Sequence, residues 1–480
     1  MKRNISRRRF FGEASCAALG STALLSSAVN LKLLNALAVP TVGVQEDYKA
    51  LVCILLAGGN DSYNMLMPRA NEPYLKYQET RADLALLQSD MLELTPVAGS
   101  SNTGLGLHPS MSGLKTLFDD GNAAVIANVG TLVEPVANAT EYDERVKKLP
   151  LGLFSHSDQI QQWQTSIPNS REAIGWGGRM ADLLQDMNSN DTISMNISLS
   201  GRNVFQSGEM TMEYTISNQG NGADGIEEID SYGNNGFLNR IRQNAVNSLH
   251  EDVYNNIFKS TYADLTTNAF AAQKEFSAAI SKVAPFADQA DGSPAFSEHY
   301  LSQHLRMVAK TIGARQDLGM KRQTFFITFG GWDHHNEVLD NQLYMLDVVS
   351  KALKEFFDVL QNDLQMQDNV TAFTISDFGR TLTSNGQGSD HAWGGNQVIV
   401  GGAVNGQDIY GQYPNLGLAD NPLNLSDRGT LIPTTSVDAY FAELALWFGV
   451  SPNDLATIFP NIGRFYDTSS GMMPIGFMSS

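Results

Sequence analysis

The sequence predicts an α/β protein whose central sheet is mostly parallel and flanked by helices, and two observations lead to this class. Continuous apolar runs bounded by Gly, Asn or Asp are typical of strands that are buried on both faces. Helical periodicity lies between these runs, and alternation of strands with helices is typical of a parallel sheet. The runs are Lys49–Ala57, Ala123–Val129, Thr324–Phe329, Val370–Ile375 and Gln397–Val400.

Helices are predicted where apolar residues recur at the helical spacing. The clearest case is Asn341–Leu364, residues 237–315 show the same spacing, and Ser436–Val450 forms a last amphipathic helix. Residues 188–236 are instead rich in Asn, Gly, Ser and acidic residues. We interpret 188–236 as an insertion into a single domain that spans 39–480.

The first 38 residues differ in character from the rest of the chain. Ser6-Arg7-Arg8-Arg9-Phe10 precedes an interrupted apolar stretch, and Ala36-Leu37-Ala38 provides a small-x-small cleavage site. This order is typical of a twin-arginine signal peptide, so residues 1–38 predict a twin-arginine translocase as partner during export and a periplasmic or secreted protein. The alternative is an uncleaved N-terminal helix or anchor. No later apolar run approaches the length of a membrane span, so none is predicted in the mature chain.

Composition excludes several classes of function. The net charge is −19, and removal of 1–38 makes it more negative, so nucleic acid is not expected as a partner. Neither a dinucleotide-binding G-x-G-x-x-G after a strand nor a P-loop is present. Cys53 is the only cysteine after residue 38, which rules out an internal disulfide there, and its apolar surroundings predict a packing role.

Acidic residues and histidines lie next to the ends of the predicted strands. In a parallel α/β sheet, ligands bind at the carboxyl ends of the strands, so side chains at these positions are brought to one edge. Carboxylate oxygens and neutral imidazoles together suit a divalent cation, with Zn, Mn, Mg and Ca all open. Each residue alone is more often a helix cap or turn residue. The candidates are Asp61, Asp333, His334, His335, Asp377, Asp390 and His391.

Several short motifs occur together and in order along the chain. They are Gly58-Gly59-Asn60-Asp61, His108-Pro109-Ser110, Gly331-Trp332-Asp333-His334-His335, Ser376-Asp377-Phe378-Gly379-Arg380-Thr381 and Asp390-His391. With the Arg-Arg signal, they make residues 47–465 resemble the DUF1501 family. That family is similar in turn to the alkaline phosphatase and sulfatase superfamily, whose members hydrolyse phosphate or sulfate esters at a metal centre.

The resemblance implies an alkaline phosphatase-like fold and a set of metal ligands. The implied ligands are Asp61, Asp333, His335, Asp377 and His391. Phe378 departs from the superfamily, which commonly has a ligating histidine at that position. One of two metal positions is therefore expected to be incomplete or to use oxygen ligands only.

The nucleophile and the anion-binding residue are predicted with alternatives. Ser155 precedes a helical stretch and matches the family's Ser-His segment, with His156 as its neighbour; the alternative is a simple helix cap, and Ser62 is a second candidate. Arg380 suits a substrate oxyanion or, equally, a salt bridge with Asp377 or Asp390. His108 is more often structural than a ligand at such a position. We assign no role to His250, His299 and His304.

Two functions from different classes follow. The first is an exported metal-dependent hydrolase of phosphate or sulfate esters, with a small molecule or a glycan ester as substrate. No Cys-x-Pro-x-Arg motif is present, which disfavours a formylglycine sulfatase. The second is a non-catalytic secreted binding or assembly protein that retains the fold.

Overall fold

Buried strands form a large mixed sheet at the centre of the protein. The computed structural model describes residues 47–220, 222, 241, 257–419 and 421–479. Within this part of the chain the sheet has nine strands, which are β1 (Lys49–Ala57), β5 (Ala123–Gly130), β6 (Asn196–Ser198), β7 (Tyr214–Thr215), β8 (Arg322–Gly330), β9 (Val370–Ser376), β10 (Gly395–Val400), β11 (Asp408–Tyr410) and β12 (Thr435–Ser436). Their order in the sheet is β11-β5-β10-β9-β1-β8-β6-β7, and β12 pairs with β5.

The pairing pattern confirms the predicted mostly parallel α/β class. β1 is parallel to β8 and β9, and β6 is parallel to β8. Among the described strands of this large sheet, only β10 runs antiparallel to its neighbours, β5 and β9. All five predicted apolar runs form strands of this sheet. A small antiparallel sheet contains β2 (Leu66–Pro68), β3 (Leu92–Glu93) and β4 (Leu105–Leu107).

Helices cover both faces of the large sheet. The helix predicted over 341–364 spans Val338–Val359 and ends in one π-helical turn, and the last predicted helix spans Val437–Phe448. In chain order the helices are α1 (Asn71–Arg81), α2 (Ser112–Asp119), α3 (Ala139–Asp143), α4 (His156–Thr165), α5 (Trp176–Leu184), α6 (Ile257–Ile280), α7 (Tyr300–Gly313), α8 (Val338–Val359), α9 (Val437–Phe448) and α10 (Leu455–Ile458).

The core consists of one apolar layer on each face of the sheet. Alternate residues of β1 point to opposite sides: Val52, Ile54 and Leu56 join one layer, and Leu51, Cys53 and Leu55 join the other. This alternation follows from the period of two of a strand. Cys53 is a free, buried thiol whose pKa burial raises well above its usual value, as expected for a packing residue.

Three sequence predictions fall wholly or partly outside the described residues. The export signal at 1–38 lies outside them, as do 221 and 223–236 of the predicted insertion and 237–240 and 242–256 of the region with predicted helical spacing. The described part of that insertion contributes β6 and β7 to the large sheet. No helix in the described ranges is long and apolar enough to cross a membrane.

Candidate metal centre

The three strands at the centre of the sheet end together. In the strand pairing, Ala57 of β1 lies opposite Gly330 of β8, and Leu56 lies opposite Ser376 of β9. The loops that follow therefore meet at one edge of the sheet, as the sequence predicts. Gly58 permits their close approach: its φ is +123°, and a Cβ atom there would lie 2.4 Å from the backbone nitrogen of Asp333.

His156 and Asp377 form a hydrogen-bonded pair at this edge. Asp377 follows β9 and is fully buried, while His156 is the first residue of α4. Nδ1 of His156 lies 2.7 Å from Oδ2 of Asp377, and Oδ1 of Asp377 accepts the backbone N–H of Gly58 at 3.1 Å. Both carboxylate oxygens are thus engaged, and Nε2 of His156 points toward Asp333, 3.5 Å from its Oδ2.

Two further histidines repeat this arrangement. Nδ1 of His391 donates to the carbonyl oxygen of Phe154 at 2.8 Å, and its Nε2 lies 3.4 Å from Oδ1 of Asp333. Nδ1 of His335 lies 2.9 Å from Oδ1 of Asp390, and its Nε2 lies 3.0 Å from Oδ1 of Asp333. The Nε2 atoms of His335 and His391 are only 3.1 Å apart.

Asp333 is the common neighbour of these imidazoles, and Arg380 holds it in place. Arg380 is fully buried, and its Nη2 contacts Oδ1 of Asp333. The remaining guanidinium contacts are hydrogen bonds to four backbone carbonyl oxygens at 2.7–3.2 Å. Those carbonyls belong to Gly58, Gly59, Trp332 and Ser389. Arg380 therefore fastens the loop after β1 to the loop after β8.

The hydrogen bonds of the three imidazoles indicate which ring nitrogen of each carries a hydrogen. A carbonyl oxygen only accepts, so His391 carries its hydrogen on Nδ1, and its neutral ring presents a lone pair at Nε2. The carboxylates behind His156 and His335 favour the same tautomer. Three lone pairs then face the Asp333 carboxylate beside Arg380, and a cation or an added proton among them would stabilise this arrangement further.

The distances suit a bound metal ion. One ligand atom from each of His156, Asp333 and His391 lies within 4.8 Å of the other two. Ligands about 2.1 Å from a tetrahedral cation are about 3.4 Å apart. The Nε2-to-Asp333 distances of 3.0–3.5 Å agree with that separation.

The electrostatics of the carboxyl groups differ according to burial. For Asp333, burial acts to raise the pKa, but the hydrogen bond and charge of Arg380 and the nearby His335 and His156 bring it below the usual value. Burial raises the pKa of Asp377, and the hydrogen bonds from His156 and Gly58 offset only part of this effect. Burial also lowers the pKa of His391, which favours the neutral ring that a metal ligand requires.

Comparison with known families assigns the chain. The model of the family described as "Protein of unknown function (DUF1501)" matches residues 48–428, which is most of the sequence. The chain belongs to the DUF1501 family. This confirms the family resemblance predicted from the motifs, and no curated protein matches the sequence.

Solved structures similar to this DUF1501 protein share little sequence with it. The Ps i-CgsB complex with k-i-k-neocarrahexaose is 10% identical, with a TM-score of 0.30 and coverage of 88% of this chain and 78% of that one. The lipoteichoic acid synthase LtaP from Listeria monocytogenes is 10% identical, with a TM-score of 0.30 and coverage of 86% and 81%. Phosphoethanolamine transferase A from Neisseria meningitidis is 9% identical, with a TM-score of 0.31 and coverage of 92% and 62%.

Asp61 of this DUF1501 protein lies outside the cluster around Asp333. It is fully buried, and its Oδ2 accepts from Nη2 of Arg81 at 2.6 Å and from Oγ of Ser389 at 2.8 Å. A buried cation thus already neutralises the carboxylate that the resemblance assigns to the metal. The neighbouring Ser62 accepts the backbone N–H of Asn396 at 2.8 Å, so its hydroxyl serves the packing of β10.

Two other predicted roles differ from the observed positions. Asp377 lies behind His156 instead of facing the shared space directly, because both of its oxygens accept hydrogen bonds. Arg380 pairs with Asp333, not with Asp377 or Asp390 as the salt-bridge alternative predicted, and Arg428 pairs with Asp390 at 2.7 Å. With its guanidinium bound to protein atoms, Arg380 has no free edge for a substrate oxyanion.

Ser155 caps α4 by position and is half-buried. Its side chain makes no capping bond, and its Oγ lies 3.2 Å from Oγ of Ser157. The preceding Phe154 has a left-handed φ of 70°, which turns its carbonyl oxygen toward His391. The segment thus contributes a carbonyl and the His156 ring to the site, and no described contact joins Ser155 to Asp333.

Phe378 fills the position where a second set of ligands was expected. Its buried ring lies with its centroid 4.8 Å from that of His156 and 4.5 Å from that of His391. Gly59 makes room for it, since a Cβ atom there would lie 2.6 Å from the Phe378 ring. An apolar ring therefore supports the two imidazoles from one side and offers no ligand there.

Three further described histidines are not members of the set formed by His156, Asp333 and His391. Burial lowers the pKa of His108 to about 4, and its Nδ1 accepts the backbone N–H of Ser110 at 3.2 Å. His299 caps α7 by accepting from the backbone of Leu301. His334, next to Asp333, is turned into the interior, where burial lowers its pKa to about 4. His250 lies outside the described residues.

His156 is the member of the site that sequence reasoning did not name as a ligand. Ligands were predicted next to strand ends, whereas His156 begins a helix. Its signal was the Ser155-His156 pair before an amphipathic helical stretch, which drew attention to the serine instead of the imidazole.

Proposed function

We propose that this DUF1501 protein is an exported, metal-dependent hydrolase of phosphate or sulfate esters. One observation carries the proposal: three imidazoles, each held at Nδ1, direct Nε2 toward one carboxylate. This is the donor set of catalytic sites for zinc and related divalent ions. The substrate class is a small-molecule or glycan ester.

The metal ligands we propose are His156, Asp333 and His391, whose donor atoms lie closest as a set. A divalent cation held there supplies a Lewis acid that polarises an ester oxygen. Asp377 and the Phe154 carbonyl keep the two imidazoles in the tautomer that leaves Nε2 free, and Arg380 fixes Asp333.

We assign His335 as the residue that donates a proton to the leaving group. It has the most exposed side chain of the three imidazoles, at 43%, and its Nε2 lies beside both Asp333 and His391. Asp390 accepts a hydrogen bond from Nδ1 of His335 and stabilises the protonated ring, which general acid catalysis requires. Water is the nucleophile we assign, because no described contact brings Ser155 to the cluster.

Activity assays separate these roles. We expect turnover of aryl phosphates or aryl sulfates with added Zn, Mn, Mg or Ca, and a loss of at least about a thousandfold in His391→Ala. Ser155→Ala is expected to retain activity within about tenfold of the wild type, as is the matched control Ser157→Ala. Absence of turnover of every aryl phosphate and aryl sulfate with each of the four metals would contradict the hydrolase proposal.

Export by the twin-arginine route is a second part of the proposal. It is supported by Arg7-Arg8 and the small-x-small site at Ala36-Leu37-Ala38. Replacement of both arginines by lysine should retain the precursor in the cytoplasm, as measured by cell fractionation. Unchanged export of that variant, or of the wild type in cells without the translocase, would rule this route out.

A secreted binding or assembly protein is the second candidate function. It is favoured by Arg380, whose guanidinium is occupied by protein atoms, and by Phe378, whose ring takes up a potential ligand position. Protein that binds metal through His391 but is inert on every ester would support this alternative.

A further inference from the structure

A cavity next to the candidate metal centre carries positive charge in an otherwise acidic protein. It has a volume of about 480 Å³ and lies in the loop between α3 and α4. The net charge of the chain is −19, so a site with two cations and one carboxylate runs against the general trend. Its lining residues are Tyr142, Asp143, Arg145, Lys147, Leu149, Pro150 and Leu153.

The two cations of this cavity are available to a ligand. Among the residues that the structure describes, many exposed cations pair with a carboxylate, for example Lys282 with Asp317 and Arg171 with Asp158. Neither Arg145 nor Lys147 makes such an ion pair within that part of the chain. Within the described residues, their charges therefore have no carboxylate partner.

The position of Arg145 is set by the backbone. Its N–H donates to the carbonyl oxygen of Tyr142 at 3.2 Å, and its φ of 52° is left-handed. The Tyr142 hydroxyl remains a hydrogen-bond donor, because burial and the charge of Asp143 raise its pKa, with Arg145 offsetting part of the effect. Guanidinium, ammonium and phenol groups together suit an oxyanion.

The cavity lies beside residues that support the candidate metal centre. Leu153 lines it, and the carbonyl oxygen of the next residue, Phe154, accepts the hydrogen bond from Nδ1 of His391. The Tyr142 ring packs on Trp393, which follows His391 by two residues, with ring centroids 6.1 Å apart.

We propose that Arg145 and Lys147 form a subsite for a second oxyanion of the substrate. The inference rests on the proposed hydrolase function and narrows it to esters that carry a phosphate, sulfate or carboxylate group besides the one that reacts. The second group binds in the cavity by charge and hydrogen bonds and places the reacting ester near Asp333.

A binding experiment tests the subsite without any turnover. Equilibrium dialysis with labelled inorganic phosphate is carried out on chelator-treated protein, so that binding at a metal cannot contribute. We expect one site per chain, with at least tenfold weaker binding in the double variant Arg145→Ala/Lys147→Ala. Lys148→Ala is the matched control, because Lys148 is adjacent in sequence but does not line the cavity. Sulfate and citrate as competitors identify which oxyanion is preferred.

Two results would overturn the subsite. They are failure of the chelator-treated wild type to bind phosphate, and equal affinity in the double variant. If the ester-hydrolysis assays show turnover, the KM of the double variant should be at least tenfold higher than that of the wild type for esters with a second anionic group. The KM for singly charged esters should be unchanged. If those assays fail, the dialysis result still decides whether the subsite exists.

Discussion

His156 donates from Nδ1 to Oδ2 of Asp377 over 2.7 Å, and this bond turns Nε2 of the ring toward Asp333. The carboxylate is buried, and the imidazole is partly exposed. A carboxylate behind an imidazole is the usual way in which proteins orient a metal-ligating histidine. The pair therefore explains how a helix and a strand end contribute to one site.

Asp377→Asn should weaken metal binding without unfolding the protein. The amide cannot stabilise the imidazole tautomer as the carboxylate does, so we expect metal affinity to fall by about 10–100-fold. Metal titration followed by calorimetry measures the change. Unaltered affinity would show that Asp377 does not position His156, and complete loss of every site would favour the direct ligand role predicted from the sequence.

Asp61→Ala should cost stability but leave metal binding intact. Removal of the carboxylate leaves Arg81 buried without its charged partner, which typically costs about 3–5 kcal/mol in the free energy of unfolding. Urea denaturation and metal titration of the same preparation separate the two effects. Loss of metal from folded Asp61→Ala protein would instead support the ligand assignment based on family resemblance.

Arg380→Ala should destabilise the fold strongly. It removes a fully buried cation and leaves four carbonyl oxygens and Asp333 without their donor, so we expect a loss of about 3–5 kcal/mol in the free energy of unfolding. Arg428→Ala, at a partly exposed pair, should cost about 1 kcal/mol or less. If Arg380→Ala is as stable as the wild type but inactive, Arg380 contacts the substrate.

Gly58→Ala should disturb the site more than the same change at another glycine with positive φ. At Gly58 the added Cβ would lie 2.4 Å from the Asp333 nitrogen, whereas at Gly99, with φ +96°, nothing lies within 4 Å. Backbone strain of about 1–3 kcal/mol is common to both positions. Thermal denaturation should therefore show a larger loss for Gly58→Ala, and metal affinity should fall only in that variant. Equal losses would contradict the close approach.

Asp438 makes the free energy of unfolding depend on pH, independently of the metal centre. Burial raises its pKa to about 8, with the charge of Arg179 offsetting part of the shift. The native state thus keeps a proton that the unfolded state releases near pH 4. The stabilising contribution of protonated Asp438 to the free energy of unfolding is therefore complete below about pH 4 and is lost as the pH rises to about 8.

The corresponding variant is Asp438→Asn. It should be more stable than the wild type at pH 8–9, by roughly 2 kcal/mol or more, and the difference should shrink toward pH 4. Chemical denaturation across that range measures it. A difference that does not change with pH would show that Asp438 does not titrate there.

Much of the sheet edge could be predicted from local pattern. Apolar runs with polar residues behind them located Asp333 and His335 after β8 and Asp377 after β9, since parallel strands end together. Ion pairs between side chains of different elements could not be predicted in this way. Arg81 lies on α1, and nothing in its local sequence shows that it neutralises Asp61.

The same limit applies to His156. Its ring reaches Asp333 only because α4 packs beside β9, and helix packing depends on tertiary contacts that a strand-end search does not include. Phe378 was recognised as a departure from the superfamily, but its packing against His156 and His391 became evident only from the structure.

Anomalous diffraction from crystals of the purified protein, collected at the absorption edge of the metal it contains, tests the central claim most directly. We expect one peak about 2.0–2.2 Å from Nε2 of His156, Nε2 of His391 and a carboxylate oxygen of Asp333. No peak among these atoms, or a peak at Asp61 instead, would contradict it.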